Sequence, residues 1–208
     1  MSRFAAVLAG LLSCFLVPLM SFAQQADAPV YQEGDWWRVK VEVARPAGVS
    51  VAGAQLGGFP EYRVRIDSGR ETVFGLSGGI SREVEAPAIV SLVLGKKGWL
   101  GELLRFPLRV GSNWQERFQF QPPATQVTWQ NGRYDVQSWE KIMTPNGEFD
   151  AFKIVMNMNV PTGPKGKGTK VQTSTYYYSP AVKAIISFRQ DGNQAAVTSS
   201  LVESNVSR

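Results

Sequence analysis

Trp37-Arg38-Val39-Lys40-Val41-Glu42-Val43 alternates without a break, setting apolar Trp37, Val39, Val41 and Val43 against charged Arg38, Lys40 and Glu42. Successive side chains of a strand point to opposite faces, so a period of two marks a strand with one face buried and the other in water. The pattern returns in Tyr62, Val64 and Ile66 against Arg63, Arg65 and Asp67, and in Phe152, Ile154, Met156, Met158 and Val160 against Lys153, Asn157 and Asn159. Strands of about five to nine residues are expected to dominate the chain. Between the patterns stand Ser68-Gly69, Asn131-Gly132, Asn146-Gly147 and Asp191-Gly192. Two-residue hairpins need a positive φ that Gly and Asn tolerate, so each pair is predicted to turn the chain back on an antiparallel neighbour.

Helical periodicity is missing beyond residue 23; Leu100 to Leu104 is a weak candidate, and Gly98 and Gly101 argue against it. Longer loops are predicted at Pro46 to Pro60, at Ser77 to Gly79 and at Pro161 to Thr169, where Gly163, Gly166 and Gly168 alternate with lysines. A single antiparallel all-β domain over residues 24–208 is expected, with roughly ten to twelve strands, and a sheet of that many strands must curl or split. The expected form is one strongly curved sheet, a half-barrel or barrel-like, rather than a sandwich. With no helix in the pattern to act as a lid, the aromatics and Met156 and Met158 of the concave face are expected either to fill it or to be sheltered by a bound amphiphile or a protein partner.

Residues 1–23 have a different character. Arg3 gives a small positive start, Phe4 to Leu19 an apolar run, and Ser21-Phe22-Ala23 a small-x-small site before Gln24. This is the pattern of a signal helix cleaved on export, so the protein is expected in the periplasm or secreted. Leu11-Leu12-Ser13-Cys14 loosely resembles a lipoprotein cleavage box, but a leucine sits where a small residue is usual and the apolar run continues past the cysteine. Ala23 is the better cut, and the mature chain is expected to be peripheral to a membrane at most.

Composition excludes much chemistry. The single cysteine, Cys14, lies in the signal segment, and the chain has no histidine. Disulfides, His or Cys metal sites, Cys-His nucleophiles and Ser-His-Asp triads are therefore ruled out of the mature chain, and no cofactor is implied. Removing Arg3 with the signal leaves 21 Lys+Arg against 17 Asp+Glu, a net of +4. That mild, scattered charge suits a protein among anionic envelope polymers and does not argue nucleic-acid binding.

Three stretches carry a resemblance. Phe106-Pro107-Leu108-Arg109-Val110-Gly111-Ser112-Asn113-Trp114, Gly147-Glu148-Phe149-Asp150-Ala151-Phe152-Lys153-Ile154 and Tyr176-Tyr177-Tyr178-Ser179-Pro180-Ala181-Val182-Lys183 resemble an uncharacterised family of exported bacterial proteins with phrases like FPL-x-VG-x-x-W, PAGTF-x-AFKI and YWYSPEVG. Tyr177 stands where that family usually has tryptophan, and Ala181 and Lys183 where it has Glu and Gly. Relatives of the family are similar in fold to periplasmic lipoprotein carriers, which wrap a curved antiparallel sheet around an apolar groove. The resemblance implies a binding or carrier role and no reaction; the expected partner is a lipid-like or other envelope ligand, or an envelope protein.

Gly163-Pro164-Lys165-Gly166-Lys167-Gly168-Thr169-Lys170 lacks the Gly-Lys-Ser/Thr and following helix of a phosphate cradle and is expected to be a solvated hairpin tip. Ser138-Trp139-Glu140-Lys141 has the Ser-x-x-Lys spacing, but on a strand those two side chains point to opposite faces. Two acids fall on apolar faces: Glu116 among Trp114, Phe118 and Phe120, and Glu140 after Tyr134, Val136 and Ser138. As an inward pair they would permit carboxylate hydrolysis of a glycan. A bulge that flips a face, or an arginine paired with either acid, would make them structural, and no catalytic residue is assigned. The ligand-binding candidates are Trp114, Phe118, Phe120, Met156, Met158, Tyr176 and Tyr178, an aromatic and thioether lining for an apolar or amphiphilic ligand. The alternatives are an interaction subunit that binds by sheet-edge addition and, third, the glycan hydrolase.

Overall fold

The computed structural model describes residues 24–44, 58–86, 90, 93–95, 103–120, 128–162, 168–191 and 196–206; the signal segment predicted at 1–23 lies outside them. In chain order the strands are β1 (Gln25–Ala26), β2 (Trp36–Ala44), β3 (Glu61–Asp67), β4 (Arg70–Ser77), β5 (Ile80–Glu83) and β6 (Leu108–Arg109). There follow β7 (Asn113–Phe120), β8 (Thr128–Thr144), β9 (Gly147–Thr162), β10 (Gly168–Ser179), β11 (Ala184–Asp191) and β12 (Ala196–Ser204). Ten strands form one antiparallel sheet in the order β5-β4-β3-β2-β12-β11-β10-β9-β8-β7, and β1 pairs with β6 apart from it. The sheet ends openly at β5 and β7 and is curved, not closed into a barrel. Its curl is strong enough for β12 to touch β8 across three intervening strands, a separation of about 19 Å in a flat sheet. Among the described residues, helical conformation occurs only at Val90, whose carbonyl accepts from the Val93 N–H.

Turn chemistry explains the hairpins at β3–β4 and β4–β5. Ser68 and Gly69 take φ of 49° and 69° between the paired Asp67 and Arg70, and Gly78 and Gly79 take 55° and 84° between Ser77 and Ile80. These are the left-handed conformations whose twist matches the flanking strands. The β8–β9 turn closes at Thr144 and Gly147, where the Thr144 hydroxyl accepts from the Asn146 N–H and donates to the Gly147 carbonyl. Asn131-Gly132 is not a turn. It lies within the 17 residues of β8, with Gly132 paired to Glu116 on one side and Met158 on the other; two full ladders outweigh a local preference. The loop expected from Pro161 is likewise shorter, because β9 runs to Thr162 and pairs there with Gly168. Gly192 and most of the Pro46–Pro60 loop fall outside the described residues.

The concave face carries the core: Trp37 and Val39 of β2, Tyr62 and Val64 of β3, Leu201 of β12, Ile186 and Phe188 of β11, and the inward residues of β8–β10 are all buried. The chain itself covers this face, and among the described residues it does so with no helical conformation beyond Val90. Val90, Val93, Leu94, Leu103, Leu104 and Leu108, from the irregular stretch between β5 and β7, are buried in the same cluster. Hydrogen bonds fasten them: the Ile185 N–H donates to the Val93 carbonyl at 2.8 Å, and the Tyr31 hydroxyl to the Leu94 and Lys183 carbonyls at 3.1 and 3.2 Å. A run of leucines and valines needs neither helix nor strand to fill a groove, since burial of apolar area is non-directional; this is why a search for periodicity passed over it.

Candidate functional site

Five of the seven candidate residues come together in the concave wall. Trp114, Met156, Met158, Tyr176 and Tyr178 are buried at 6%, 0%, 2%, 0% and 1% exposure. The side chains of Phe118 and Phe120 lie outside the described residues. Trp114 stacks on its cross-strand neighbour Tyr134 at 5.2 Å and 7°, Tyr134 pairs with Met156, and Met156 pairs with Ser174. Tyr176 leans on Phe188 at 5.0 Å, and Tyr178 meets Phe106 edge-on at 5.5 Å.

Polar atoms are set into this wall without partners. Trp114 Nε1, Tyr134 Oη, Ser174 Oγ and Tyr176 Oη are all buried, and none makes a hydrogen bond among the described residues. Leaving such a group unmade costs about 1–3 kcal/mol. Burial holds the Tyr134 hydroxyl well above the ordinary tyrosine range, the nearby Glu116 charge adding to the effect, and burial does the same to Tyr176, with Tyr134 adding. Ser174 lies near enough to Tyr176 to oppose that rise slightly, yet outside hydrogen-bonding geometry. The cluster is therefore neutral across the ordinary pH range.

Glu116 and Glu140 do not form an inward pair. Glu116 shares its row with Gly132 and the buried Met158, and its carboxylate is ion-paired to Arg105. The ladder shifts between Val136 and Ser138, after which Trp139 joins the inward face on Phe152, with ring centroids 4.5 Å apart. Glu140 thereby turns to the other face, opposite Ala151, and accepts from the Ser138 hydroxyl at 2.9 Å. The expectation that Tyr134, Val136, Ser138 and Glu140 share one face is corrected by this bulge. Two carboxylates on opposite faces of a sheet cannot flank one glycosidic bond.

The three family-like phrases meet as structure. The Phe106 ring packs on Tyr178, Tyr178 pairs with Phe152, and the Gly111 N–H, at φ 89°, donates to the Val136 carbonyl at 2.8 Å. Lys183, where the family has Gly, takes φ 55°; its ammonium donates to the Val30 carbonyl at 2.8 Å and lies 3.7 Å from Asp35.

A second region, which the sequence reading missed, lies on the outer face of β2–β5. A cleft of about 420 Å³ is lined by Trp36, Arg63, Arg65, Phe74 and Ser81, among others. An adjoining one of about 410 Å³ is lined by Arg38, Glu61, Arg63, Leu76 and Ile80, among others. Arg63 and Ser81 belong to both. Arg38 and Arg63 stand directly opposite each other across β2 and β3, with Phe74 next to Arg63 on β4. Arg38 is paired to Glu61 at 3.4 Å and to Glu203 at 2.8 Å, and Arg65 to Asp67 at 2.7 Å. No carboxylate pairs with Arg63 among the described residues; its guanidinium lies over the Trp36 ring, 5.0 Å from the centroid. The available signal was Val73-Phe74, two adjacent apolar residues that break the alternation and place a phenyl ring on the polar side. A third cleft, of about 330 Å³, lies by Arg133, which Asp135 already pairs at 3.1 Å.

No protein-family model matches the chain. No curated protein matches it either. Among solved structures it is similar to a Bacteroides fragilis protein described as exported and YmcC-like in fold, with 14% identity, a TM-score of 0.39, and coverage of 86% of this chain and 99% of that one. It is also similar to the hypothetical lipoprotein YmcC of Escherichia coli, with 9% identity, a TM-score of 0.39, and coverage of 81% and 84%. Likeness at this level leaves the functional reading to the chain's own residues.

Proposed function

We propose that this chain is a non-enzymatic binding module exported to the cell envelope, and that it engages its partner on the outer face of β2–β5. The observation that carries this reading is the filled concave face: Val90, Val93, Leu94, Leu103, Leu104 and Leu108 occupy the groove a carrier would keep for its ligand. Two adjoining clefts, of about 420 and 410 Å³, lie instead on the outer face, around Arg63. β5 beside them is the terminal strand of the sheet, four residues long, with all its side chains exposed and Ile80 68% accessible. Export rests on the predicted signal segment. The non-enzymatic reading is supported by the lack of histidine and of any cysteine beyond Cys14, and by the separation of Glu116 from Glu140.

A photo-crosslinking residue at Ser81, in the cleft, tests this against one at Thr173, outside it on β10. Adducts in the envelope at Ser81 and not at Thr173 are expected. Silence at Ser81, or equal labelling at both positions, refutes it.

One observation favours a second reading, a carrier of an apolar or amphiphilic envelope ligand. Trp114 Nε1, Tyr134 Oη, Ser174 Oγ and Tyr176 Oη lack partners among the described residues, and a ligand head with acceptor oxygens would supply them, its apolar part resting on Met156 and Met158. Extraction and mass spectrometry of protein purified from its native envelope decides this. Stoichiometric lipid-like material favours the carrier, and clean protein the outer-face module.

A further inference from the structure

We infer that the occupant of the outer-face groove is an acidic saccharide chain, with a carboxylate of one sugar held by Arg63. This rests on the outer-face reading and adds the chemistry of the partner. Like charges directly opposite across a ladder repel, and the fold answers the Arg38–Arg63 juxtaposition unevenly. Arg38 has two carboxylates and Arg65 has one, whereas Arg63 has none among the described residues. Stacking on Trp36 uses one face of the guanidinium and leaves N–H groups in its plane, the geometry that takes a carboxylate with two parallel hydrogen bonds.

Sugar rather than peptide follows from what the floor offers. The floor around Arg63 is the face of β2–β4, whose main-chain groups are committed to ladders on both sides, and an extended peptide draws its affinity from main-chain pairing; the open edge of β5 lies two strands away from Arg63. What remains is a half-buried phenyl ring at Phe74, the edge of the Trp36 indole, the Ser81 hydroxyl and the Arg63 guanidinium, to which no carboxylate is paired among the described residues. Rings with an apolar face, hydroxyl edges and a carboxylate match that set. Because clefts open on both sides of Arg63 and share it, the chain passes across the arginine and does not end there.

Titration calorimetry at low salt tests this with tetragalacturonate, maltotetraose and tetraglutamate against the full mature chain and two variants, Arg63→Gln and Phe74→Ala, each first shown to keep the wild-type β spectrum. Tetragalacturonate is expected to bind and the other two to bind at least about tenfold more weakly. Arg63→Gln is expected to lower the tetragalacturonate affinity about tenfold or more, as loss of a charge-assisted pair does, and added salt to weaken the wild type. Phe74→Ala is expected to lower it severalfold through the lost stacking surface. No tetragalacturonate binding, an affinity unchanged in Arg63→Gln, equal binding of maltotetraose, or equal or tighter binding of tetraglutamate each overturns the inference. If Ser81 still crosslinks in the envelope while tetragalacturonate fails, the saccharide assignment falls and the outer-face reading stands; if Ser81 is silent, both fall.

Discussion

The concave and outer faces of β2–β4 come from one alternation, and they differ in how the rest of the chain treats them. Inward, Trp37, Val39, Tyr62, Val64 and Val73 are at most 4% exposed and are met by leucines and valines from the stretch after β5. Outward, Trp36, Phe74 and Leu76 keep part of their surface, and Arg63 lies over the Trp36 ring with no carboxylate paired to it among the described residues. A face that the chain completes for itself gives stability; a face left half-apolar with an uncompensated charge is available for recognition. Substitutions should therefore separate cleanly, with inward changes costing stability and sparing affinity, and outward changes doing the reverse.

The largest effect is expected at Leu103, fully buried in the segment that fills the groove. Leu103→Ala should cost about 2–5 kcal/mol by lost transfer energy plus the cavity left behind, read as a lower denaturant midpoint with the slope unchanged. A loss below about 1 kcal/mol, within the range of ordinary surface changes, would mean that the segment covers the groove without contributing to it. That outcome would return the concave face to the carrier reading.

Next comes Gly75, on the inward row with Val39 and Tyr62. A Cβ there would collide with the Phe59 ring, which itself packs edge-on against Tyr62 at 6.0 Å. Gly75→Ala should cost about 1–3 kcal/mol through forced repacking. A neutral result in thermal unfolding would show that Phe59 has room to swing aside and that this end of the core is loose.

How much of this was readable beforehand follows from which forces act locally. The alternation of Trp37 to Val43 and the turns at Ser68-Gly69 and Asn146-Gly147 lie within a few residues of their own cause, and sequence reasoning found them. Asn131-Gly132 misled because ladders to residues as distant as Glu116 and Met158 overrode it. The shift between Val136 and Ser138 that turns Glu140 outward leaves no mark on composition, since a bulge changes phase without changing residue types. The filling segment was missed because apolar burial needs no period. The outer groove was missed because an unpaired arginine becomes visible only once the partners of Arg38 and Arg65 are known.

A smaller effect, with an informative sign, is expected at Tyr176. Its hydroxyl is buried without a partner among the described residues, so Tyr176→Phe should leave stability unchanged or raise it by up to about 1 kcal/mol, as removal of an unsatisfied polar group does. A clear fall in melting temperature would mean that the hydroxyl is satisfied in the protein as purified, by water or by a ligand head. The contrast between a closed inner face and an open outer one would then need redrawing.

The smallest effect on stability is expected at Arg63, where the comparison is sharpest. Arg63→Gln removes a guanidinium that has no carboxylate among the described residues and that faces Arg38 across the ladder. Its loss gives up one cation–π contact between two half-buried side chains, about 1 kcal/mol, and relieves a like-charge opposition of about 0.2–1 kcal/mol. The two nearly cancel, so unfolding should shift by no more than about 0.5 kcal/mol. Arg38→Gln is the control: it breaks pairs to Glu61 and Glu203 whose side chains, like that of Arg38, are about a third to a half exposed, and solvent limits each to about 0–1 kcal/mol. Arg38→Gln should therefore be the more destabilising of the two, and Arg63→Gln the more damaging to groove binding. The reverse order in both measurements would make Arg63 a structural residue and Arg38 the point of recognition.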